Sequence, residues 1–223
     1  MKVIAISDLH GELPHMEDIH GDVLCICGDT FPLKIQWNTY KCREWLRNKF
    51  IPWTNNIDVK FVLLVAGNHD FLFERELRNH IDEFFRGTKI KYLENEQFVI
   101  DDTIFYGTPY CRLFGNWAFT RDTERLQLIF ENIPNNIDVL LTHDSPYGVS
   151  DICYQDIYWN TGEHLGNKPL REAVLRTNPK FLLHGHLHSS NHDVELLGET
   201  KVYNVSLLDE NYKNAYKPLI LDL

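Results

Sequence analysis

Short apolar runs recur along the chain, and most of them are rich in β-branched residues. Runs of this length and composition are typical of strands that are buried on both faces of a sheet. They lie at Val3–Ile6, Val23–Cys27, Phe61–Val65, Phe98–Ile100, Ile104–Tyr106, Val139–Leu141, Phe181–Leu183, Val202–Val205 and Leu219–Leu221. The pattern therefore predicts a core built from buried β-strands.

Helical periodicity lies between several of these runs. It predicts helices over Tyr40–Phe50, Leu72–Phe85, Asp122–Phe130 and Pro169–Leu175. Strands that alternate with helices indicate an α/β domain, and the strand-dense second half of the chain indicates more than one sheet. Because the sequence shows no repeat and no Gly/Ser linker, we predict that residues 1–223 form a single domain.

Composition and charge narrow the class of protein. The chain has 223 residues, of which 43% are hydrophobic and 24% charged, as in ordinary globular proteins. Its net charge of −10 repels a phosphate backbone, which argues against polynucleotide binding. The five cysteines lack zinc-ribbon or CxxC spacing, and no apolar run approaches the length of a membrane helix. With no signal-peptide pattern after Met1, we expect a cytoplasmic protein without a membrane partner.

Polar side chains follow five of the predicted strands, at the point where each strand ends. The segments are Ser7-Asp8-Leu9-His10, Gly28-Asp29, Gly67-Asn68-His69-Asp70, Thr142-His143-Asp144 and His184-Gly185-His186-Leu187-His188. In open α/β sheets, ligands bind outside the carboxyl ends of the strands. If these strands are parallel neighbours, the five segments converge on one edge.

The residue types in these segments favour a metal site. One His after a strand is more often a loop or core residue than a ligand, but five such clusters together argue against that interpretation. A mixed His, Asp and Asn set suits divalent first-row transition metals, with Mn²⁺ the first choice and Fe, Zn, Co or Ni as alternatives. Seven ligands fit two ions that share a carboxylate, and two such ions assist phosphoryl displacement. The predicted ligands are Asp8, His10, Asp29, Asn68, His143, His186 and His188; the role of His184 stays open.

The motifs between residues 8 and 188 also carry a family resemblance. They are Asp8-x-His10, Gly28-Asp29, Gly67-Asn68-His69-Asp70, His143 followed by Pro146, and Gly185-His186-x-His188. In this order they resemble the calcineurin-like metallophosphoesterase superfamily. The resemblance implies an α/β fold of the α-β-β-α sandwich type, in which two mixed β-sheets are flanked by helices and carry a dinuclear metal site at the C-terminal ends of the strands.

The resemblance also implies how the ligands divide between the two ions. Asp8, His10 and His188 would bind one metal ion, and Asn68, His143 and His186 would bind the other. Asp29 would bridge the two ions, and His69 would lie beside the site without binding a metal.

Finer features are similar to a smaller branch of that superfamily. Cys27-Gly28-Asp29-Thr30-Phe31 and Asn116-Trp117-Ala118-Phe119 resemble the small metallophosphoesterase-domain-containing, cyclic-nucleotide-phosphodiesterase-like proteins. The chain departs from the superfamily pattern at Pro32, where many members have an acidic residue, and at Asp144, where a small residue is expected. Asp144 is either a loop cap or an extra negative charge that disfavours dianionic monoesters.

The predicted mechanism is hydrolysis of a phosphate ester by a metal-activated hydroxide. Two cations lower the pKa of a bound water towards neutrality. His69 is the candidate general acid for the leaving oxygen, and Asp70 is the candidate that orients its imidazole. The alternative for His69 is a loop residue with no catalytic role.

The sequence contains fewer features that indicate the substrate than features that indicate the metal site. Arg112 and Asn116 are candidate substrate contacts in an aromatic loop that either stacks on a base or packs on the core. Tyr154, Tyr158 and Trp159 form a second aromatic loop, a candidate lid or partner surface. We expect a small phosphodiester, such as a cyclic nucleotide. The alternatives are a phosphomonoesterase, protein phosphatase or nuclease of the same fold, or a non-catalytic scaffold; a homo-oligomer is compatible with the sequence.

Overall fold

A computed structural model describes residues 1–16, 18–153 and 162–223. Its strands are β1 (Lys2–Ile6), β2 (Val23–Cys27), β3 (Phe61–Val65), β4 (Ile90–Tyr92), β5 (Glu96–Ile100), β6 (Thr103–Thr108), β7 (Cys111–Arg112), β8 (Thr120–Arg121), β9 (Val139–Thr142), β10 (Phe181–His184), β11 (Glu195–Leu197), β12 (Thr200–Asn204) and β13 (Leu219–Asp222). Its helices are α1 (Thr39–Trp45), α2 (Ile51–Asn56), α3 (Phe71–Arg75), α4 (Arg78–Phe85), α5 (Thr123–Glu131) and α6 (Lys168–Thr177), with a π-helical turn over Leu46–Phe50. The aromatic residues Tyr154, Tyr158 and Trp159 lie outside the described residues.

The strands form two large mixed sheets. The first has the order β13-β1-β2-β3-β4, in which β1 to β4 are parallel and β13 is antiparallel. The second has the order β11-β12-β10-β9-β6-β5, in which the four central strands are parallel. Helices flank both sheets, so the predicted α-β-β-α sandwich is confirmed.

Alternate residues of each central strand face opposite apolar layers. In β1, Val3 and Ala5 pack in the cluster between the two sheets, whereas Ile4 and Ile6 pack in the cluster beneath α1 to α4. The second sheet packs its outer face on α5 and α6 in the same way, for example through Leu140. Burial on both faces is the reason that these strands read as continuous apolar runs.

Two predicted helices differ from the observed ones. The predicted helix Leu72–Phe85 is two helices, because Glu76 and Leu77 have extended backbone between α3 and α4. The helix predicted from Tyr40 continues to the end of α2 through the π-helical turn. Pro52, near the start of α2, has no amide hydrogen for an α-helical bond, which favours an irregular turn before it.

The strands that the sequence did not reveal are short. They are β4, β7, β8 and β11, each of two or three residues. Such segments have too few positions to show a period and depend on pairing with a neighbour. Across the described part of the chain, no helix is long and apolar enough to span a bilayer.

Candidate metal centre

The carboxyl ends of five strands meet at one edge of the sandwich. β1, β2 and β3 come from the first sheet, and β9 and β10 come from the second. Backbone hydrogen bonds connect the segments that follow them: Asp8 N donates to Gly28 O at 3.0 Å, and Gly185 N donates to His143 O at 3.1 Å. The polar segments therefore converge as expected, but across two facing sheets rather than along one.

Several site residues have left-handed backbone. The φ angles are 56° at Asp8, 43° at His10, 54° at Asp29 and 71° at His186. Residues other than glycine enter this region at a cost and do so most often at functional sites. The cost is offset here by hydrogen bonds such as that from His10 N to Asp29 O at 2.8 Å.

Asp8, His10 and His188 form a compact group of ligand atoms. His188 Nε2 lies 3.2 Å from Asp8 Oδ1 and 3.4 Å from His10 Nε2. His10 Nε2 lies 4.0 Å from Asp8 Oδ1. All three side chains are buried, and their nitrogen and carboxylate atoms point at one another, as donors around a cation do.

A second group shares Asp29 with the first. His143 Nε2 lies 2.9 Å from Asn68 Oδ1 and 3.3 Å from Asp29 Oδ2. The same carboxylate oxygen lies 3.6 Å from His10 Nε2, so Asp29 stands between the two groups. The ring of His186 lies 5.1 Å from that of His143. These nitrogen and oxygen donors suit divalent metal ions. His186 is in none of the described groups of neighbouring ligand atoms, so its role as a ligand stays a prediction.

Backbone carbonyls orient two of the imidazoles. His143 Nδ1 lies 2.8 Å from Cys27 O, and His188 Nδ1 lies 3.0 Å from Asp209 O. Because a carbonyl only accepts, each Nδ1 carries a hydrogen, and Nε2 is the nitrogen that each ring turns towards the site. Ser206, which no motif indicated, donates to Asp8 Oδ2 at 2.7 Å.

Charge pairing keeps the two central carboxylates ionised. Burial alone raises the pKa of Asp8, but the charge and hydrogen bond of His188, together with the charges of His143 and His10, outweigh it and hold that pKa well below its usual range. His143, together with His69 and His10, likewise outweighs burial and lowers the pKa of Asp29. In turn, against the opposing effect of burial, Asp29 raises the pKa of His143 to about 10, and Asp8 raises that of His188 to about 9. A metal ion must therefore displace protons from these two histidines.

The other two histidines are neutral donors. Burial lowers the pKa of His10 to about 3 and that of His186 to about 3. A neutral imidazole is the form that binds a metal ion, so these side chains are ready to do so across the physiological pH range.

The structure corrects the role predicted for Asp70. Its carboxylate accepts hydrogen bonds from the backbone amides of Thr30, Phe31 and Gly67. His69 Nδ1 instead contacts Gln36 Oε1, and its Nε2 lies 3.9 Å from Asp29 Oδ2. Asp70 therefore connects two loops and does not orient the imidazole, because its oxygens already face the backbone.

A cavity of about 250 Å³ opens over the predicted ligands. Arg112, Phe114 and Trp117 form part of its wall, so the aromatic loop packs on the core and faces the site as well. Asn116 is exposed and is not among the residues that line the cavity, and its assignment stays a prediction. Glu210 and Tyr212 also line the cavity, and the sequence gave no motif for either.

Asp144 and His184 are structural neighbours of the site. Asp144 accepts hydrogen bonds from Arg112 N at 2.9 Å and from Asn167 Nδ2 at 3.0 Å, as a loop cap does. His184 is buried at the end of β10, with Nδ1 3.1 Å from Gly185 O, and it joins none of the ligand groups of the described chain. Burial lowers the pKa of His184 to about 4.

Comparisons with known proteins agree with this geometry. The sequence profile of the calcineurin-like phosphoesterases matches residues 1–190. The chain is 28% identical over 231 residues to UPF0046 protein K07C11.7 of Caenorhabditis elegans, across 99% of this chain and 74% of that protein. It is 25% identical over 246 residues to metallophosphoesterase domain-containing protein 1 of Homo sapiens, across 100% of this chain and 71% of that protein. The structure of a phosphopantetheinyl hydrolase from Mycobacterium tuberculosis shares the fold, with a TM-score of 0.57 and 16% identity over 95% of this chain and 90% of that one.

Proposed function

This chain belongs to the calcineurin-like phosphoesterase family, and on that premise we propose that it hydrolyses a small phosphodiester with the help of two divalent metal ions. The observation that carries the proposal is the shared position of Asp29, whose Oδ2 lies 3.3 Å from His143 Nε2 and 3.6 Å from His10 Nε2. A carboxylate between two groups of donors is the arrangement that two bridged cations require.

The chain's own residues would hold the metal ions and the phosphate. Asp8, His10 and His188 would bind one ion. Asn68, His143 and His186 would bind the other ion, and Asp29 would bind both. When bound, the ions supply a nucleophile at neutral pH and stabilise the charge of the phosphate oxygens. Arg112 would bind a phosphate oxygen, since it lines the cavity and its buried Nε has no hydrogen-bond partner among the described residues.

His69 would supply the proton for the leaving oxygen. Its Nε2 faces the site, 3.9 Å from Asp29 Oδ2, and His69 forms a further possible ligand group with His10 and Asp29. We assign His69 to proton transfer because His10 and Asp29 already belong to the other two groups. Burial lowers the pKa of His69, so its imidazolium is a stronger proton donor but is the minor form at neutral pH.

Three features support a small diester as the substrate. The cavity, of about 250 Å³, is small. The net charge of −10 opposes a polynucleotide. Phe114 and Trp117 give the cavity an aromatic wall that suits a flat group such as a nucleobase. With the resemblance to the cyclic-nucleotide-phosphodiesterase-like branch, these features favour a cyclic nucleotide, with Mn²⁺ as the metal.

A cytoplasmic location belongs to the same proposal. Cys25, Cys27, Cys42 and Cys111 are buried free thiols, as a reducing compartment favours. Fractionation of cells that express the tagged full-length protein tests this part, and recovery with the membrane or secreted fraction would contradict it.

The deciding experiment compares two chromogenic esters. Metal-depleted protein is reconstituted with Mn²⁺ and assayed on bis(p-nitrophenyl) phosphate and on the monoester p-nitrophenyl phosphate. We expect metal-dependent turnover with a higher kcat/KM for the diester. Hydrolysis of the monoester alone would favour a phosphomonoesterase. No hydrolysis of either, with no metal bound by elemental analysis, would favour a non-catalytic scaffold.

Two variants test the assigned roles. Asp29→Ala should abolish turnover and weaken both metal sites, because the bridging carboxylate is lost; two tightly bound ions in that variant would contradict the bridge. His69→Asn should keep both ions and lose about 100-fold or more in kcat on diphenyl phosphate, whose leaving oxygen needs a proton from a general acid. Unchanged turnover would contradict that role.

A further inference from the structure

The imidazole of His69 is held in its plane by its neighbours. Its ring packs against Trp117 at an interplanar angle of 38°, with 4.5 Å between centroids, and stands edge-on to His10 at 4.8 Å. Its backbone N donates to Asp29 Oδ1 at 2.8 Å. These contacts fix the plane of the ring but not its orientation within that plane. Turning the ring by 180° about Cβ–Cγ exchanges nitrogen and carbon positions with almost no change in shape.

The side chain of Gln36 distinguishes the two orientations. Its Oε1 lies 2.5 Å from His69 Nδ1, and the residue is 6% exposed. A carbonyl oxygen only accepts, so Nδ1 carries the hydrogen of this bond and Nε2 faces the metal site. In the turned ring, a C–H group would face Oε1 and leave a buried acceptor without a partner, which costs free energy.

The local fold brings Gln36 to this place. The amides of Ile35 and Gln36 both donate to Pro32 O, at 3.0 and 3.1 Å, which closes one turn of chain directly before α1. Pro32 itself has no polar side-chain atom, but the turn that begins at Pro32 places Gln36 directly beside it. Asn38 then caps α1 by accepting from Lys41 N, so the turn is held at both ends.

We infer that Gln36 is a positioning residue that orients His69 Nε2 towards the leaving oxygen of the substrate. The inference rests on the proposed role of His69 as proton donor. In the imidazolium form of His69 both ring nitrogens carry a proton. As the bond from phosphorus to the leaving oxygen breaks, that oxygen keeps the electron pair and takes the proton from Nε2, which leaves a neutral ring with its hydrogen on Nδ1. Oε1 accepts from Nδ1 both before and after this transfer, so the ring keeps one orientation throughout, and solvent later returns a proton to Nε2.

Leaving-group dependence separates this role from general loosening of the loop. Gln36→Met keeps the length of the side chain and removes the acceptor. We expect its kcat to fall about 10-fold or more on diphenyl phosphate, whose phenolate is a poor leaving group. The loss should be much smaller on bis(p-nitrophenyl) phosphate, and KM should change little on either. Gln36→Glu keeps an accepting oxygen and should restore the kcat ratio of the two esters.

A matched control and a spectroscopic readout complete the test. Asn38→Ala disturbs the same turn without touching His69, so its effect on the two esters should be equal. Long-range ¹H–¹⁵N spectra of Zn²⁺-loaded protein should show His69 with the hydrogen on Nδ1, and Gln36→Met should lose that signature. An unchanged His69 spectrum in Gln36→Met, or equal losses on both esters, would overturn the inference. Failure of the wild-type protein to hydrolyse either ester would contradict the proposed function instead, and the spectrum would still decide the role of Gln36.

Discussion

Single buried side chains hold the loops of the site, and Asp70 is the clearest case. Its two carboxylate oxygens accept from three backbone amides, those of Thr30, Phe31 and Gly67, at 2.8 to 3.2 Å. Burial, and next the charge of Asp29, raise the pKa of Asp70 to about 7. The side chain thus ties the loop after β2 to the loop after β3, and both loops carry predicted ligands.

Asp70→Ala should destabilise the protein by about 3 kcal/mol, because three buried amides lose their acceptor. Urea denaturation measures the free energy of unfolding. The control is Asp82→Ala on α4, where an exposed carboxylate pairs with Arg78 and should contribute about 0.5 kcal/mol. Equal losses in the two variants would show that Asp70 does not connect the loops.

At the scale of elements, the first turns of α5 and α6 show how a cap depends on its surroundings. Asp122 Oδ1 accepts from Arg125 N at the exposed start of α5. Asn167 Oδ1 accepts from Leu170 N at the start of α6, and its Nδ2 donates to the buried Asp144. The cap of α6 therefore also fixes the loop that follows β9.

Asn167→Ala should cost about 2 kcal/mol of stability, since it removes a cap and leaves a buried carboxylate short of a donor. Asp122→Ala should cost about 1 kcal/mol, because only the cap is lost. Chemical denaturation of the two variants and the wild-type protein at one pH measures these losses of stability. If Asp122→Ala loses as much stability as Asn167→Ala, or more, the buried contact of Asn167 with Asp144 adds nothing to its cap.

Asp138 makes the stability of the folded protein depend on pH through contacts where three strands begin. It accepts from Ile104 N at 2.9 Å and pairs with Lys180 Nζ at 2.9 Å, so it joins β6, β9 and β10 where they begin. Burial opposes the shift, but these hydrogen bonds outweigh it and lower the pKa of Asp138. The ionised form therefore stabilises the folded state.

Asp138→Asn should lower the free energy of unfolding at pH 7 by about 0.5 to 1 kcal/mol, a modest value for a largely solvated pair. A lowered pKa contributes stability above the unfolded value of about 3.9 and loses it as the pH falls through the folded value. The difference between variant and wild type should thus vanish in acid. A difference that persists below that range would contradict the assignment.

For the whole molecule, the predicted metal ligands span residues 8 to 188 and come from both sheets. Metal binding should therefore stabilise the complete fold, because the sites exist only when the sheets are packed together. At a free metal concentration 100 times Kd, the gain is about 2.7 kcal/mol for each site. Chelation of both ions from loaded protein should therefore lower Tm by about 10 to 20 °C in a scanning calorimeter.

Asp29→Ala is the control for chelation. Its Tm should respond little to added Mn²⁺, since the shared carboxylate is missing. An unchanged Tm of the wild-type protein on chelation would show that the seven side chains do not hold a metal in the folded state.

Much of the fold could be predicted because its central strands are buried on both faces. A strand such as β2 is apolar at every position, and such runs are visible without any knowledge of the partner strands. The break between α3 and α4 was not visible, because Leu77 fits the helical period and yet is exposed. The two-residue strands β7 and β8 had too few positions to show a pattern.

The sequence alone identified the family and predicted the metal ligands, because residue type and order after each strand carry that information. Only the tertiary structure decided which side chains support the site. Gln36 and Ser206 lie outside every motif and reach His69 and Asp8 through contacts between distant segments. The role of Asp70 changed for the same reason: a carboxylate next to a histidine in sequence can face either the ring or the backbone, and the packing of two loops settled which.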